Sequence, residues 1–225
     1  MGVSILLFWN TIKESFKQFY EYSFKLVFID LIWFSLSALV GFIGYGGLIS
    51  GLWILLIIPA VFLGPFFLSG LDITNEVAQG KQIKIPQFLK GIKTNFKRGV
   101  KGFLLTAIVY IVIFVDFYYF YQKGIESTFM IIVFGILIYI VLFFSMIQLY
   151  FWGLLACRKE DSIMVILKHA VVFSLDNILF AFLWLILVVA LTAIMVYFQI
   201  VIPAVFMGLI GLVIINGTRL TLERY

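Results

Sequence analysis

The chain has 225 residues, of which 64% are hydrophobic and 12% charged, with a formal net charge of +5. Its mean hydropathy of +1.17 excludes an ordinary water-soluble domain, and a lone cysteine, Cys157, excludes an intrachain disulfide and a multi-cysteine metal site. What remains is an all-α polytopic membrane protein, one transmembrane domain over residues 1–225, in which positive charge has to be read by position.

The N-terminal stretch "MGVSILLFWNTIKESFKQFYEYSFK" has no basic residue before its apolar portion and mixes charge into every later turn, so no cleavable signal peptide is expected. Between Ile5 and Tyr20 the residues Phe8, Trp9, Ile12, Phe16 and Phe19 share one helical face, with Asn10, Glu14, Lys17 and Glu21 opposite. This pattern predicts an amphipathic helix on the cytoplasmic side. A first span follows at Phe24–Phe42 and a second at Gly46–Leu71, joined at "GFIGYGG". The small residues of "GYGGLISG" predict a tight outer turn and close helix packing. Pro59, Gly64 and Pro65 make the second span the one most open to a kink or a break.

A charged junction leads into "PQFLKGIKTNFKRGVKG", residues 86–102, which holds five basic residues and no acidic one. On a helical wheel Phe88, Ile92, Phe96 and Val100 oppose Lys90, Lys93, Lys97, Arg98 and Lys101, and Pro86 suits a first helical turn. An amphipathic helix beside a span is expected to lie in the membrane interface, its cations toward anionic headgroups of the lipid bilayer. A protein-docking surface is the other use of these five residues. Nucleic acid is not an expected partner, because the phenylalanines lie opposite the lysines and within a turn of a span.

Four further spans are predicted, at Phe103–Tyr121, Phe129–Leu155, Ile178–Tyr197 and Ile200–Gly217. The third and fourth join at "YQKGIEST" and the last two at "YFQIVIP"; before the fifth, "EDSIMVILKHAVVFSLDNILF" predicts a helix capped by Asp161 or Ser162 and packed among others. With both termini cytoplasmic, fifteen of the sixteen basic residues fall inside and only Lys123 outside, which favours six spans in this orientation. The motif "IKxxFK" occurs at residues 12–17 and 92–97, each time ahead of a span. The expected architecture is therefore three helical hairpins, each preceded by a cytoplasmic-side helix, interfacial or packed, in possible repeat units 1–71, 82–157 and 160–217.

Ionisable residues near or within spans are few: Asp30, Asp116, and Asp176 beside Asn177. Intramembrane carboxylates are candidate functional groups. Against that stand an interfacial pairing of Asp30 with Lys25 or a packing hydrogen bond, a cap or tyrosine contact for Asp116, and helix initiation for Asp176 and Asn177. His169 is the only histidine, so no multi-histidine metal site or Ser-His-Asp triad with a second imidazole can be built, and an interfacial position is expected for it. No phosphate-binding glycine loop follows a strand. No metal and no cofactor is assigned, and no catalytic residue.

The stretches "FIDLIWFSLSALVG", "IIPAVFLGPFFLSG", "VAQGKQIKIPQFLKGIKTNFKRGVKGFLL", "IVIFVDFYYF" and "LKHAVVFSLDNILF" give a chain that resembles the YesL-like family of bacterial integral membrane proteins over about three quarters of its length. The resemblance implies a bacterial plasma-membrane location and an accessory role beside a carbohydrate ABC transporter, with no functional residues to carry over. The expected function is thus a non-enzymatic membrane accessory or assembly protein. A small transporter or channel using Asp30 or Asp116 is the alternative. A lipid-directed enzyme built on Asp176, Asn177 and His169 is a third and weaker reading.

Overall fold

The computed structural model describes residues 2–123 and 128–224. Among these the chain forms eight α-helices and no strand: α1 (Gly2–Ser50), α2 (Ile57–Ala78), α3 (Ile85–Thr94), α4 (Phe96–Lys123), α5 (Thr128–Cys157), α6 (Ile163–Asp176), α7 (Ile178–Tyr197) and α8 (Ile202–Leu222). Six of them, α1, α2, α4, α5, α7 and α8, are long and apolar enough to cross a membrane. The chain is a six-span, all-α membrane protein. Part of the predicted "YQKGIEST" junction, residues 124–127, lies outside the described residues.

The first unit differs from its sequence reading. α1 is one helix of 49 residues, about 74 Å long at 1.5 Å per residue, against a hydrocarbon core about 30 Å thick. The N-terminal amphipathic segment and the first span are therefore continuous, with no separate helix before the span. Ser15 shows why: its hydroxyl donates to the carbonyl of Thr11 at 2.7 Å, inside an unbroken ladder. The glycines of "GFIGYGG" do not end the helix either. In an apolar medium the backbone keeps its internal hydrogen bonds, and Gly44 uses its missing side chain to admit α2, where a Cβ would stand 2.7 Å from Pro59 Cγ, while Gly47 makes room for Leu52 and Leu55 of the turn that follows. The turn comes at Gly51, whose φ of +73° suits glycine, and leads through a 3-10 turn at Trp53–Leu56.

α2 runs unbroken through both prolines. Pro59 sits in its first turn, where no amide donor is needed, and Pro65 lies in its interior beside Gly64. α4 crosses α2 there. A Cβ on Gly99 would lie 2.5 Å from the Pro65 backbone nitrogen, so the crossing is a contact of backbone on backbone.

The centre of the bundle is α8. Every residue from Met207 to Thr218 is buried, enclosed by α1, α2, α5 and α7. Trp184 of α7 donates its indole N–H to the Val213 carbonyl at 3.1 Å and packs edge to face with Tyr150 of α5. By contrast, the far half of the α4–α5 hairpin exposes apolar side chains on several sides, among them Ile108, Phe114, Ile132 and Ile136. Such a surface suits a lipid solvent.

The short helix and its span meet at a single asparagine in two places, Asn95 between α3 and α4 and Asn177 between α6 and α7. Ser162 caps α6 by accepting the Val165 amide at 3.4 Å. α6 packs one face, Ile166, Ala170 and Phe173, into the core, while Met164, Val165, Val172 and Leu175 on its other side stay exposed. It is therefore covered on one side only.

Candidate functional site

The last turn of a helix leaves carbonyls without partners, and α5 ends at Cys157 with the Leu155 carbonyl in that turn and those of Arg158 and Lys159 just beyond it. Arg98, in the first turn of α4, supplies the donors. Its guanidinium bonds the carbonyls of Leu155 at 3.2 Å and Arg158 at 2.9 Å, and also that of Lys159. A cation at a helix C-terminus is favoured by the helix dipole as well. Beside it, the buried Asp72 of α2 accepts from the Asn95 amide and pairs with Lys159 at 2.9 Å. Asn75, one turn further along α2, donates to the Ala156 carbonyl at 3.4 Å and accepts from the Cys157 thiol at 3.7 Å. These contacts tie α2, α4 and α5 together at one end of the bundle.

The same end holds segments from both ends of the chain. Asn216 of α8 donates to Ser15 at 3.0 Å and Gln18 at 2.9 Å on α1, and Arg224 donates to Asn177 at 2.9 Å. A polar cavity of about 340 Å³ opens there, with Asn10 and Lys13 on one wall and Arg219 and Glu223 on the other. A second cavity, of about 290 Å³, lies between α4 and the first turn of α6; Lys97, Arg98, Lys101 and Lys159 line it, with Asp161 the only acidic residue. Asp161 itself faces Arg158 at 3.6 Å.

The five basic residues read from the sequence are thus divided. Lys90, Lys93, Lys97 and Lys101 are exposed, whereas Arg98 is half-buried and committed to α5. Their helix is also two helices, bent at Asn95, and the α3 part of its apolar face turns onto the bundle. Phe88 is fully buried with Leu26 and Ile29 of α1 and Ile73 and Val77 of α2, and Ile92 packs against the same cluster. The reason is the turn at Gly80, φ +70°, which folds α3 back onto α2 and offers its phenylalanine a protein surface instead of lipid. Only Ile85 and Leu89 remain exposed on the apolar side.

The carboxylates read from the sequence do not form one site. Asp30 is buried and accepts the Gly208 amide of α8 at 3.0 Å; Lys25 is exposed, and Asp30 makes no ion pair with it. Among the described residues its other oxygen has no hydrogen-bond partner, and neither do the Trp33 indole N–H and the Ser37 hydroxyl further along the same face of α1. Asp116 is exposed in the C-terminal half of α4 and Asp176 is exposed at the end of α6. Asn177 is the N-cap residue of α7, its backbone carbonyl accepting the Ala181 amide at 2.9 Å. Its side-chain amide donates back to the Phe173 carbonyl at 3.3 Å. His169 stands 3.2 Å from Arg158 and stacks on Phe173.

No sequence motif marks Asp72, Asn75, Asn95 or Lys159, which build the node at this end. One signal was available: Asp72 and Asn75 are polar residues three apart at the end of an apolar span, and so share a helical face. Neither a family model, nor a curated protein, nor a solved structure matches the chain.

Proposed function

We propose that the chain is a non-enzymatic accessory or assembly protein of the bacterial plasma membrane, with both termini cytoplasmic, that works beside a carbohydrate ABC transporter or another membrane complex. The resemblance to the YesL-like family motivates the choice of partner, and the excess of basic residues at one end motivates the orientation. One observation carries the reading. α3 is anchored through the fully buried Phe88, so Lys90 and Lys93 project outward from a short helix that is fixed to the bundle and displays its charge to whatever lies beside it.

Gentle solubilisation of native membranes followed by mass spectrometry of the purified protein tests this. Stoichiometric recovery of a second membrane protein is the expected outcome, and Lys90→Glu with Lys93→Glu should lower that recovery about fivefold or more. A protein recovered alone by several mild detergents contradicts the proposal.

A small transporter or channel is the second reading, supported by Asp30, Trp33 and Ser37, whose unpartnered polar atoms are buried along one face of α1. Asp116 contributes nothing to it, being exposed on the periphery. Ion or solute flux in proteoliposomes that falls with Asp30→Asn would favour this reading over the first.

A further inference from the structure

The groove between α4 and α6 is lined by four basic residues, of which Arg98 and Lys159 have partners within the bundle. Lys97 and Lys101 are exposed and four residues apart on α4, and neither takes part in an ion pair among the described residues. Like charges at that spacing repel one another. Lys97 and Lys101 line a cavity of about 290 Å³ together with Ser162 and Ile163 at the start of α6, while Lys159, which also lines it, is paired with Asp72 at 2.9 Å. Asp161, the one acidic residue on the wall, is held by Arg158. An anion is the missing component.

A second feature fixes what carries that anion. From Lys101 the exposed stripe of α4 continues as Leu104, Ile108, Ile111 and Val115, at alternating spacings of three and four that keep them on one face. Their exposures run from 42% to 61%, so this stripe is covered by no other part of the described chain. Leu104 to Val115 rises about 17 Å, close to half of a hydrocarbon core about 30 Å thick. Cations at the head of a span and an open apolar track one leaflet long match a single molecule with a phosphate at one end and an acyl chain at the other.

We propose that Lys97 and Lys101 form a discrete site for the phosphate headgroup of an anionic phospholipid whose acyl chain lies along Leu104, Ile108 and Ile111. The site rests on the reading that this end of the bundle lies at a membrane surface, and it is independent of any protein partner. It also differs from a diffuse basic collar. Lys90 and Lys93 sit on α3 and do not line the groove, so they should contribute little.

Native mass spectrometry of the full-length protein in detergent, titrated with phosphatidylglycerol, phosphatidylcholine or inorganic phosphate, tests the site. A saturable one-to-one adduct with phosphatidylglycerol is expected. Lys97→Gln with Lys101→Gln should weaken it about tenfold or more, and Lys90→Gln with Lys93→Gln by less than about twofold. Lys101→Gln alone should give an intermediate loss, which guards against a double variant that folds poorly. Equal losses in the two double variants would mean a diffuse collar and overturn the proposal. So would phosphatidylcholine binding as tightly as phosphatidylglycerol, or inorganic phosphate displacing the lipid at equal concentration, which would make the ligand a free phosphate. A protein that copurifies with no partner yet retains the lipid adduct would sink the accessory role and leave this site standing.

Discussion

Arg98 and its neighbours in sequence show how one charge on a wheel can mean two things. Lys97 and Lys101 point away from the bundle, while Arg98 between them closes the C-terminus of α5 through three carbonyls. Only the guanidinium, with five donors in a plane, can serve several carbonyls at once. Arg98→Ala should therefore cost about 2 kcal/mol or more in thermal unfolding in detergent. Lys97→Ala should be nearly neutral in the same assay. Gly99 is a second sensitive position, because a Cβ there meets Pro65 backbone at 2.5 Å and 2.6 Å and neither helix can yield without moving. Gly99→Ala should lower stability by about 2 kcal/mol, measured against Gly135→Ala, where a Cβ meets nothing within 4 Å.

At the scale of elements, the shared "IKxxFK" motif leads to two different outcomes. In the second copy Asn95 breaks the helix and donates to Asp72; in the first, Ser15 occupies the same register, bonds back to Thr11 and lets α1 run on. A local hydrogen-bonding choice at one position thus decides between a bend and a helix of 49 residues. Distances between spin labels at Trp9→Cys and Tyr45→Cys, in a Cys157→Ser background, check this directly. A straight α1 places the two backbones about 54 Å apart, whereas an interfacial helix turned at a right angle before the span would bring them to about 40 Å. Phe88 makes the parallel point for α3: Phe88→Ala should cost about 3 kcal/mol or more, as for a fully buried core residue, and a lipid-facing phenylalanine would cost far less.

Across the whole molecule, six spans were legible because hydropathy reports on length without needing any tertiary detail. Ser162 as the cap of α6 was legible for the same reason, being a local signal. The faces were not. A wheel separates Phe88 from Lys90 but cannot say whether lipid or α2 receives the phenylalanine, because both are apolar. Nor does apolar composition single out α8 as the central helix: α7 is the more hydrophobic of the two and is less enclosed. What marks α8 is the small residues Gly208, Gly211 and Gly217, each within reach of a neighbouring helix. The polar node escaped because Asp72, Asn95 and Lys159 are distant in sequence and meet only when α2, α4 and α5 come together.

The arrangement makes the end holding α3, Arg98 and Asn216 one face of the membrane protein and the Gly51 turn the other, and the proposed orientation puts the basic face in the cytoplasm. Single cysteines at Lys93 and Leu52, in a Cys157→Ser background, test that most directly when labelled by a membrane-impermeant maleimide in intact cells and in inverted vesicles. Both positions are exposed. Leu52→Cys should label only in cells and Lys93→Cys only in inverted vesicles. Labelling of both from the same side, or Lys93→Cys from outside the cell, would contradict the account.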